Sequence, residues 1–220
     1  MPKDTFLNLP DEKRAHIEQV ALAEFAEHGY DNASINRIVA AAGIAKGSFY
    51  QYFEDKQDVL AHLITQIGQA KIEFMSPVMQ NPAGHDFFTV MREMYRSGLA
   101  FARMNPHGAQ VANQFLQNRT HPVYAAIYAD SLETAKVFYH NMLDMAIRQG
   151  DVRPDIDRRF VIHMLITLHV SLIEYYFEEV QGGAIDVAQL DDNLMDTVST
   201  FLDFIQHGLA YKEEGVPTHD

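Results

Sequence analysis

The sequence predicts an all-α fold, in which an N-terminal three-helix, helix-turn-helix domain precedes a larger helical domain, with about nine helices in all. Apolar residues recur three and four positions apart along most of the chain, which is the period of an amphipathic helix. Neither a strand-like alternation nor an internal repeat is present. The 220 residues are 47% hydrophobic, which is enough for a sizeable core. We expect domains at 1–54 and 55–220, with a flexible tail near 212–220.

The N-terminal domain is predicted from its helix start and stop signals. Pro10 fits the first turn of a helix that we expect to end at Gly29. Ser34 stands where its side chain can cap a second, short helix. Gly43 then provides the positive φ of a tight turn, and a third helix can run from 46 to 52. Two short helices joined by such a turn form a helix-turn-helix.

The third helix has one apolar side and one small, polar and cationic side. Phe49, Tyr52 and Phe53 cluster on the first side, whereas Lys46, Gly47, Ser48, Tyr50 and Gln51 lie around the second. The chain carries a formal net charge of −13, yet no acidic residue occurs between Asp31 and Glu54. A local positive surface on an otherwise acidic protein indicates that this surface binds a polyanion such as a nucleic acid. A plain core-packing helix pair would explain only the apolar side.

Residues 17–60 resemble the N-terminal DNA-binding domain of TetR/AcrR-type transcriptional regulators. The matching positions are Phe25, Gly29-Tyr30, Ser34, Ile38, Ala42-Gly43-Ile44, Lys46-Gly47-Ser48, Phe49-Tyr50, Tyr52-Phe53, Lys56 and Leu60. The resemblance implies DNA contacts from Lys46, Gly47, Ser48, Tyr50, Gln51 and Lys56. The outward face of 46–52 and its neighbours adds Ser34, Asn36, Arg37 and Tyr52 as candidate DNA contacts. Among these, Gly47, Tyr50 and Lys56 suit phosphates, and Lys46, Ser48 and Gln51 can reach base edges. Ala45 departs from the family, which usually has Ser or Thr there, so the helix start lacks a side-chain cap.

Composition narrows the other functional classes. The absence of cysteine excludes disulfides, thiolate zinc sites and cysteine nucleophiles, and the N-terminus lacks the apolar run of a signal peptide. We therefore expect a cytoplasmic protein. No nucleophile elbow, phosphate loop or metal-ligand spacing appears, so we expect no enzyme activity, no cofactor and no metal site. An enzyme, or a helical interaction protein without operator binding, on a TetR-like scaffold remains the alternative.

The remaining chain reads as further helices separated by proline and glycine. The first of them should end near Met75, before Ser76-Pro77, and Asn105-Pro106-His107-Gly108 should separate two others. The apolar residues of 160–177 wrap almost the full helix circumference, which predicts a helix covered on nearly all sides. His163, His169 and Glu174 argue against a membrane span there. The expected helices are 55–75, 87–104, 109–118, 123–148, 160–177 and 187–211.

The resemblance also implies a small-molecule effector, a homodimer and a palindromic operator, with the protein acting as a repressor. Ordinary core packing is the alternative for the Met- and Tyr-rich middle helices, whose composition fits a hydrophobic or amphipathic effector. The candidate effector residues are Met91, Tyr95, Gln114, Phe115, Tyr124, Tyr128 and His169. A seam in the last helix predicts a four-helix dimer interface through Leu194, Val198, Phe201 and Ile205.

Overall fold

The structure, a computed structural model, describes residues 1–80, 86–176 and 193–209. These residues form ten helices and no β-strand, so the predicted all-α fold is confirmed. The helices are α1 (Asp4–Leu7), α2 (Asp11–Asn32), α3 (Ile35–Ala41), α4 (Lys46–Tyr52), α5 (Lys56–Gln80), α6 (Phe87–Met104), α7 (Pro106–Gln117), α8 (Pro122–Gln149), α9 (Arg158–Tyr175) and α10 (Asn193–Leu209). The predicted tail and the start of the predicted 187–211 helix lie outside the described residues.

The chain forms two compact units. Unit 1 contains Met1–Phe74 and Leu99–Tyr128, and unit 2 contains Met75–Gly98 and Ala129–Asp220. Helices α5, α6 and α8 therefore contribute residues to both units. Within unit 1, Leu60 and Leu63 of α5 belong to the same hydrophobic cluster as Phe25 and Phe49. The division into a DNA-binding domain at 1–54 and an effector-binding and dimerisation domain at 55–220 stays a prediction.

The turn between α3 and α4 is the predicted helix-turn-helix turn. Gly43 has φ +64°, its N–H donates to the Ala40 carbonyl at 3.4 Å, and the Ile44 N–H donates to the Val39 carbonyl at 3.1 Å. This pair of bonds is a Schellman motif, which satisfies carbonyls at the end of α3. The predicted cap at the start of α3 is wrong, because the Ser34 side chain makes no capping hydrogen bond.

Three predicted helix ends differ from the structure. At Gly29 the chain only kinks, with φ +66°, and α2 continues to Asn32. Pro77 lies inside the end of α5, where a proline removes a single hydrogen bond of the helix, so α5 reaches Gln80 instead of stopping near Met75. Pro106 opens α7 rather than breaking the chain, because the first helical position needs no N–H.

Helix α1 was missed in the sequence. Its Phe6 is fully buried, and its ring centroid lies 4.6 Å from that of Phe53, 5.8 Å from that of Tyr52 and 5.6 Å from that of His62. His62 is also buried, and its Nε2 lies 2.7 Å from Glu18 Oε1 on α2. The N-terminal residues thereby complete the core between α2, α4 and α5.

In unit 2, α9 packs against α10. Asp157 caps α9, since its carboxylate accepts from the N–H groups of Arg159 at 3.0 Å and Phe160 at 3.2 Å. The expectation that α9 is covered on nearly all sides is wrong for the single chain. An outward stripe of α9 is solvent-exposed and includes Phe160, His163, Thr167, Ser171 and Tyr175.

None of the helices in the described part of the chain combines the length and the apolar content needed to cross a membrane.

Candidate nucleic-acid interface

Helix α4 presents the polar side that the sequence predicts. Lys46, Gly47, Tyr50 and Gln51 are exposed, and Ser48 is half-buried. On the adjacent helix α3, Asn36 is also exposed. The opposite side of α4 is anchored in the core of unit 1 through Phe49, which is 1% exposed. A seven-residue helix extends about 10 Å, so its outward groups form one short, continuous surface.

Tyr52 does not belong to this surface. It is only 7% exposed, and its ring packs beside that of Phe6, with the centroids 5.8 Å apart. The last turn of α4 therefore directs Tyr52 inward with Phe49, which is the side on which the helical period also puts it. We correct its predicted DNA contact to a core role.

Lys56 is also used differently from the prediction. Its ammonium donates to the carbonyls of Tyr30 at 2.7 Å, Asp31 at 3.0 Å and Ala33 at 3.4 Å, and it lies 4.5 Å from the centroid of the Tyr30 ring. Carbonyls at a helix C-terminus lack partners within the helix and carry partial negative charge. Lys56 thus fastens the start of α5 to the end of α2, and this correction replaces the expected phosphate contact.

Arg37 is held by a carboxylate of its own chain. Its Nε donates to Glu24 Oε1 at 2.9 Å, its Nη2 donates to the same oxygen at 2.6 Å, and Glu24 Oε1 also accepts from the Ser34 N–H at 2.7 Å. Burial opposes ionisation of Glu24, but the hydrogen bonds from Arg37 and Ser34 outweigh it and lower the pKa of Glu24. The charge of Arg37 is largely balanced by Glu24, so Arg37 is not the available cation that its predicted DNA contact requires.

The N-terminal segment supplies a cation that the sequence analysis missed. Lys3 donates from Nζ to the Tyr50 carbonyl at 3.0 Å and from its backbone N–H to the Tyr52 carbonyl at 2.8 Å. Thr5 donates from its hydroxyl to the Gln51 carbonyl. Three carbonyls at the end of α4 are therefore satisfied by residues 3–5. The sequence signal for this contact was Lys3, which lies three residues before the aromatic residue Phe6 near the N-terminus.

The exposed cations are thus placed at both ends of α4. Lys46 is its first residue, with its side chain exposed, and the exposed Lys3 lies over its last turn. Between them are a backbone without a side chain at Gly47 and the polar groups of Tyr50 and Gln51. Ammonium and phenol groups suit phosphates, and an amide can pair with a base edge in a major groove. This arrangement matches a short recognition helix.

Comparison with known proteins agrees with this geometry. The family model described as "Bacterial regulatory proteins, tetR family" matches residues 17–63, which contain α3 and α4. A crystal structure of a TetR family transcriptional regulator from Chloroflexus aurantiacus J-10-FL is 30% identical, with 96% of this chain and 100% of that chain covered and a TM-score of 0.64. The chain belongs to the TetR family of transcriptional regulators. It is accordingly a DNA-binding regulator, as the sequence predicted.

Two further relatives of this TetR-family protein are more distant. The HTH-type transcriptional repressor AcnR of Corynebacterium glutamicum is 23% identical over 186 residues, covering 80% of this chain and 85% of AcnR. The regulator FadR of Bacillus subtilis, solved in complex with stearoyl-CoA, is 17% identical with a TM-score of 0.61, covering 84% of this chain and 96% of that one. At this identity the FadR structure supports the fold alone.

The candidate effector residues divide between the two units. Met91, Tyr95 and His169 lie in unit 2, where the Tyr95 hydroxyl is 2.8 Å from His169 Nδ1. Burial raises the pKa of Tyr95, so its phenol stays protonated beside the His169 ring. The remaining four lie in unit 1, namely Gln114, Phe115, Tyr124 and Tyr128.

The unit 1 members of this set form part of an aromatic cluster. The Phe115 ring centroid is 5.9 Å from that of Tyr124 and 6.1 Å from that of Tyr128, and Gln114 donates from Nε2 to the Ala26 carbonyl at 3.0 Å. Another buried amide on α7, Asn113, has no partner for its Nδ2 among the described residues. No group of three or more metal-binding side chains occurs in the described ranges.

The expected dimer residues are mostly core residues of the single chain. Leu194, Val198 and Ile205 are between 0% and 7% exposed, so they have little surface left for a second copy. Phe201 is half-buried, with its ring centroid 6.1 Å from that of Tyr95. The seam in α10 therefore faces its own unit, which corrects the predicted interface. Phe204, the residue before Ile205 on α10, is 70% exposed.

Proposed function

We propose that this TetR-family protein is a cytoplasmic repressor that binds a palindromic operator as a homodimer and leaves it when a small molecule binds. The observation that carries the proposal is the exposed side of α4, with Lys46 and Lys3 at its ends and Gln51 between them. AcnR, which aligns with most of the chain, is a transcriptional repressor, and this favours repression over activation. A two-fold operator requires two copies of α4 spaced about 34 Å, or a multiple of it, to enter successive major grooves.

The outward sides of α9 and α10 are the surfaces we propose for dimerisation. Phe160 and Tyr175 of α9 are 60% and 53% exposed, and Phe204 of α10 is 70% exposed. Large apolar side chains on two packed helices gain stability when a second helix pair covers them. Two such pairs related by a two-fold axis give a four-helix interface. The proposed interface uses the same two helices as the predicted one, but with exposed residues in place of the buried seam of α10.

The effector we propose is hydrophobic or amphipathic and binds beside Tyr95 and His169. The Tyr95 hydroxyl and the His169 ring form a hydrogen-bonded polar pair. Small-molecule sites use a few such polar groups in an apolar lining to fix the orientation of a mostly apolar ligand. FadR of Bacillus subtilis was solved with stearoyl-CoA, an amphipathic ligand with a long alkyl chain. Since α5, α6 and α8 contribute to both units, a ligand in unit 2 can act on unit 1 through shared helices.

Binding to the DNA beside its own gene tests operator recognition. Because Lys56 is bound to carbonyls of its own chain, we now assign the phosphate contact to Lys46 instead of the base contact first expected of it. Lys46→Ala should then weaken binding to every sequence and lower the salt slope by about one. Gln51→Ala should instead change sequence preference at one base pair, by about 1–3 kcal/mol. Fluorescence anisotropy at several salt concentrations, with single-base operator variants, measures both. Equal, sequence-blind losses would contradict the assigned roles, and no binding to any such DNA would favour an interaction protein or enzyme.

Thermal-shift screening tests the effector. A ligand at ~100 times its Kd stabilises the folded state by roughly 2.7 kcal/mol, so binding compounds raise the melting temperature. We expect long-chain and amphipathic compounds to stabilise the protein and to release operator DNA, and Tyr95→Phe to reduce both effects. Sugar phosphates and nucleotides serve as controls. A melting response and DNA release confined to these charged compounds would refute an apolar site.

A further inference from the structure

Unit 1 contains a cavity of about 320 Å³, lined in part by Gln114 and Tyr124 of the candidate effector set, whereas the proposed site beside Tyr95 belongs to unit 2. The last turns of α2 form one wall, and α7 with the start of α8 forms the other. Its volume lies in the range of small-molecule sites. The lining residues of this α2–α7 pocket are Glu27, His28, Gly29, Tyr30, Asp31, Asn32, Gln114, Asn118, His121 and Tyr124.

The lining is polar, negatively charged and aromatic. Glu27 and Asp31 contribute two carboxylates, and no lysine or arginine is among the lining residues. The rings of Tyr30, His121 and Tyr124 lie with their centroids 5.9 to 6.3 Å apart. Burial, followed by the negative charge of Asp31, raises the pKa of Tyr124 and keeps its phenol neutral.

This chemistry favours a positively charged ligand over an apolar or anionic one. Aromatic faces attract cations, and the Tyr30 ring already has the Lys56 ammonium 4.5 Å from its centroid. Carboxylates form strong hydrogen bonds with cationic N–H donors. An anion would face two like charges here, and a neutral apolar group would gain no electrostatic attraction from the two carboxylates.

We propose that the α2–α7 pocket binds a small organic cation with N–H donors, namely an amine, amidine or guanidine. Glu27 and Asp31 accept its hydrogen bonds, and the rings of Tyr124 and His121, inclined at 65° to each other, form an aromatic corner in which it lies. The site differs in position and in ligand class from the apolar effector site beside Tyr95.

The pocket wall is the same stretch of backbone that holds α3 and α5. The carbonyls of Tyr30 and Asp31 accept from Lys56, and the Asn32 carbonyl accepts from Arg37 Nη2 at 2.7 Å. A cation in the pocket repels the Lys56 ammonium and competes for the Tyr30 ring. Its binding thereby loosens the attachment of α5 to α2. Resting on the proposed operator binding, this gives a second regulatory input that lowers DNA affinity.

Three compounds of nearly the same shape separate charge from size. Isothermal titration calorimetry on the free protein compares benzamidine, which is cationic, with neutral benzamide and anionic benzoate. We expect benzamidine to bind at least tenfold more tightly than benzamide, and benzoate to show no binding. Equal affinity for benzamidine and benzamide would overturn the proposal.

Variants locate the binding to the pocket. Glu27→Gln combined with Asp31→Asn should abolish the preference for benzamidine, whereas Glu12→Gln, at an exposed position in the first turn of the same helix, should retain it. Both pocket side chains are exposed, so the variants should keep the wild-type melting temperature. If the double variant still preferred benzamidine, or the Glu12 control lost the preference, the assignment to this pocket would fail.

Operator binding with saturating benzamidine tests the regulatory consequence. We expect at least a threefold loss of DNA affinity in the wild type and no loss in the double variant. The calorimetry requires no DNA, so failure of operator recognition leaves its result interpretable. Unchanged DNA affinity in a benzamidine-saturated wild type would overturn the regulatory role.

Discussion

The ammonium of Lys56 has three carbonyl acceptors from its own chain, whereas the ammonium of Lys46 has no ion pair among the described residues. The two lysines therefore serve different purposes although they lie at the starts of neighbouring helices. Lys56 organises the junction of α2 and α5, and Lys46 remains available to a phosphate or a base. This difference can be measured by giving both positions the same substitution.

Lys56→Met keeps most of the aliphatic stem but removes the charged donor. Hydrogen bonds to charged groups contribute about 1.5–3 kcal/mol, and partial exposure of Lys56 puts the expected loss of unfolding free energy at the lower end. Lys46→Met should leave stability unchanged and lower the salt slope of DNA binding instead. Chemical denaturation and salt-dependent anisotropy separate the effects. A stable Lys56→Met protein with a shallower salt slope would restore the phosphate role.

For single residues, the sequence predicted which side of a helix each side chain faces. It did not predict which side chains are bound by other parts of the chain. Helical periodicity is local, and it correctly put Phe49 inside and Gln51 outside. The carbonyl partners of Lys56 lie 23 to 26 residues earlier in the chain, and Glu24, the carboxylate partner of Arg37, lies 13 residues earlier. No local spacing rule around either residue contains that information. The two cations therefore looked free in the sequence and are bound in the structure.

Helix α4 is held at both of its ends by other parts of unit 1. The Schellman turn at Gly43 fixes the chain that enters it, and residues 3–5 cover the carbonyls at its end. Packing of Phe6 against Phe53 secures the second contact. Such support compensates for Ala45, which gives α4 no side-chain cap. The four-residue helix α1 was not predicted because so short an element has no period to detect.

Gly47→Ala tests whether the backbone of α4 approaches DNA. A methyl group at Gly47 would meet no atom within 4 Å, and alanine favours a helix over glycine by about 1 kcal/mol. The variant should therefore be slightly more stable yet bind operator DNA more weakly. Gly68→Ala in α5, where the added methyl also meets nothing within 4 Å, is the matched control and should gain stability alone. Unaltered DNA affinity in Gly47→Ala would exclude close backbone approach there.

The whole molecule shows most clearly where sequence patterns lose information. The apolar circumference of 160–177 predicted a helix covered on nearly all sides, but apolar residues do not say whether the cover comes from the same chain. The seam through Val198 and Leu194 proved to be internal, because both are buried within unit 2. The outward stripe with Phe160 and Tyr175 is what a single chain leaves open. Burial in the folded chain thus moves the proposed interface to the exposed residues of the same helices.

Phe204→Glu tests this revised interface. If Phe204 lies at the two-fold axis, the substitution buries two unpaired carboxylates in each dimer, which costs several kcal/mol. In a single chain the side chain is 70% exposed, so the monomer should keep its helical content and melting behaviour at low concentration. Val137→Glu, on α8 and 63% exposed, makes the same charge change outside the proposed interface and should remain dimeric. Sedimentation velocity at micromolar concentration distinguishes these results.

Because one copy of α4 contacts only half of a palindrome, monomeric Phe204→Glu should also lose most of its operator affinity while retaining the weak, salt-dependent binding of one half-site. A Phe204→Glu protein that sediments as a dimer would place the interface elsewhere.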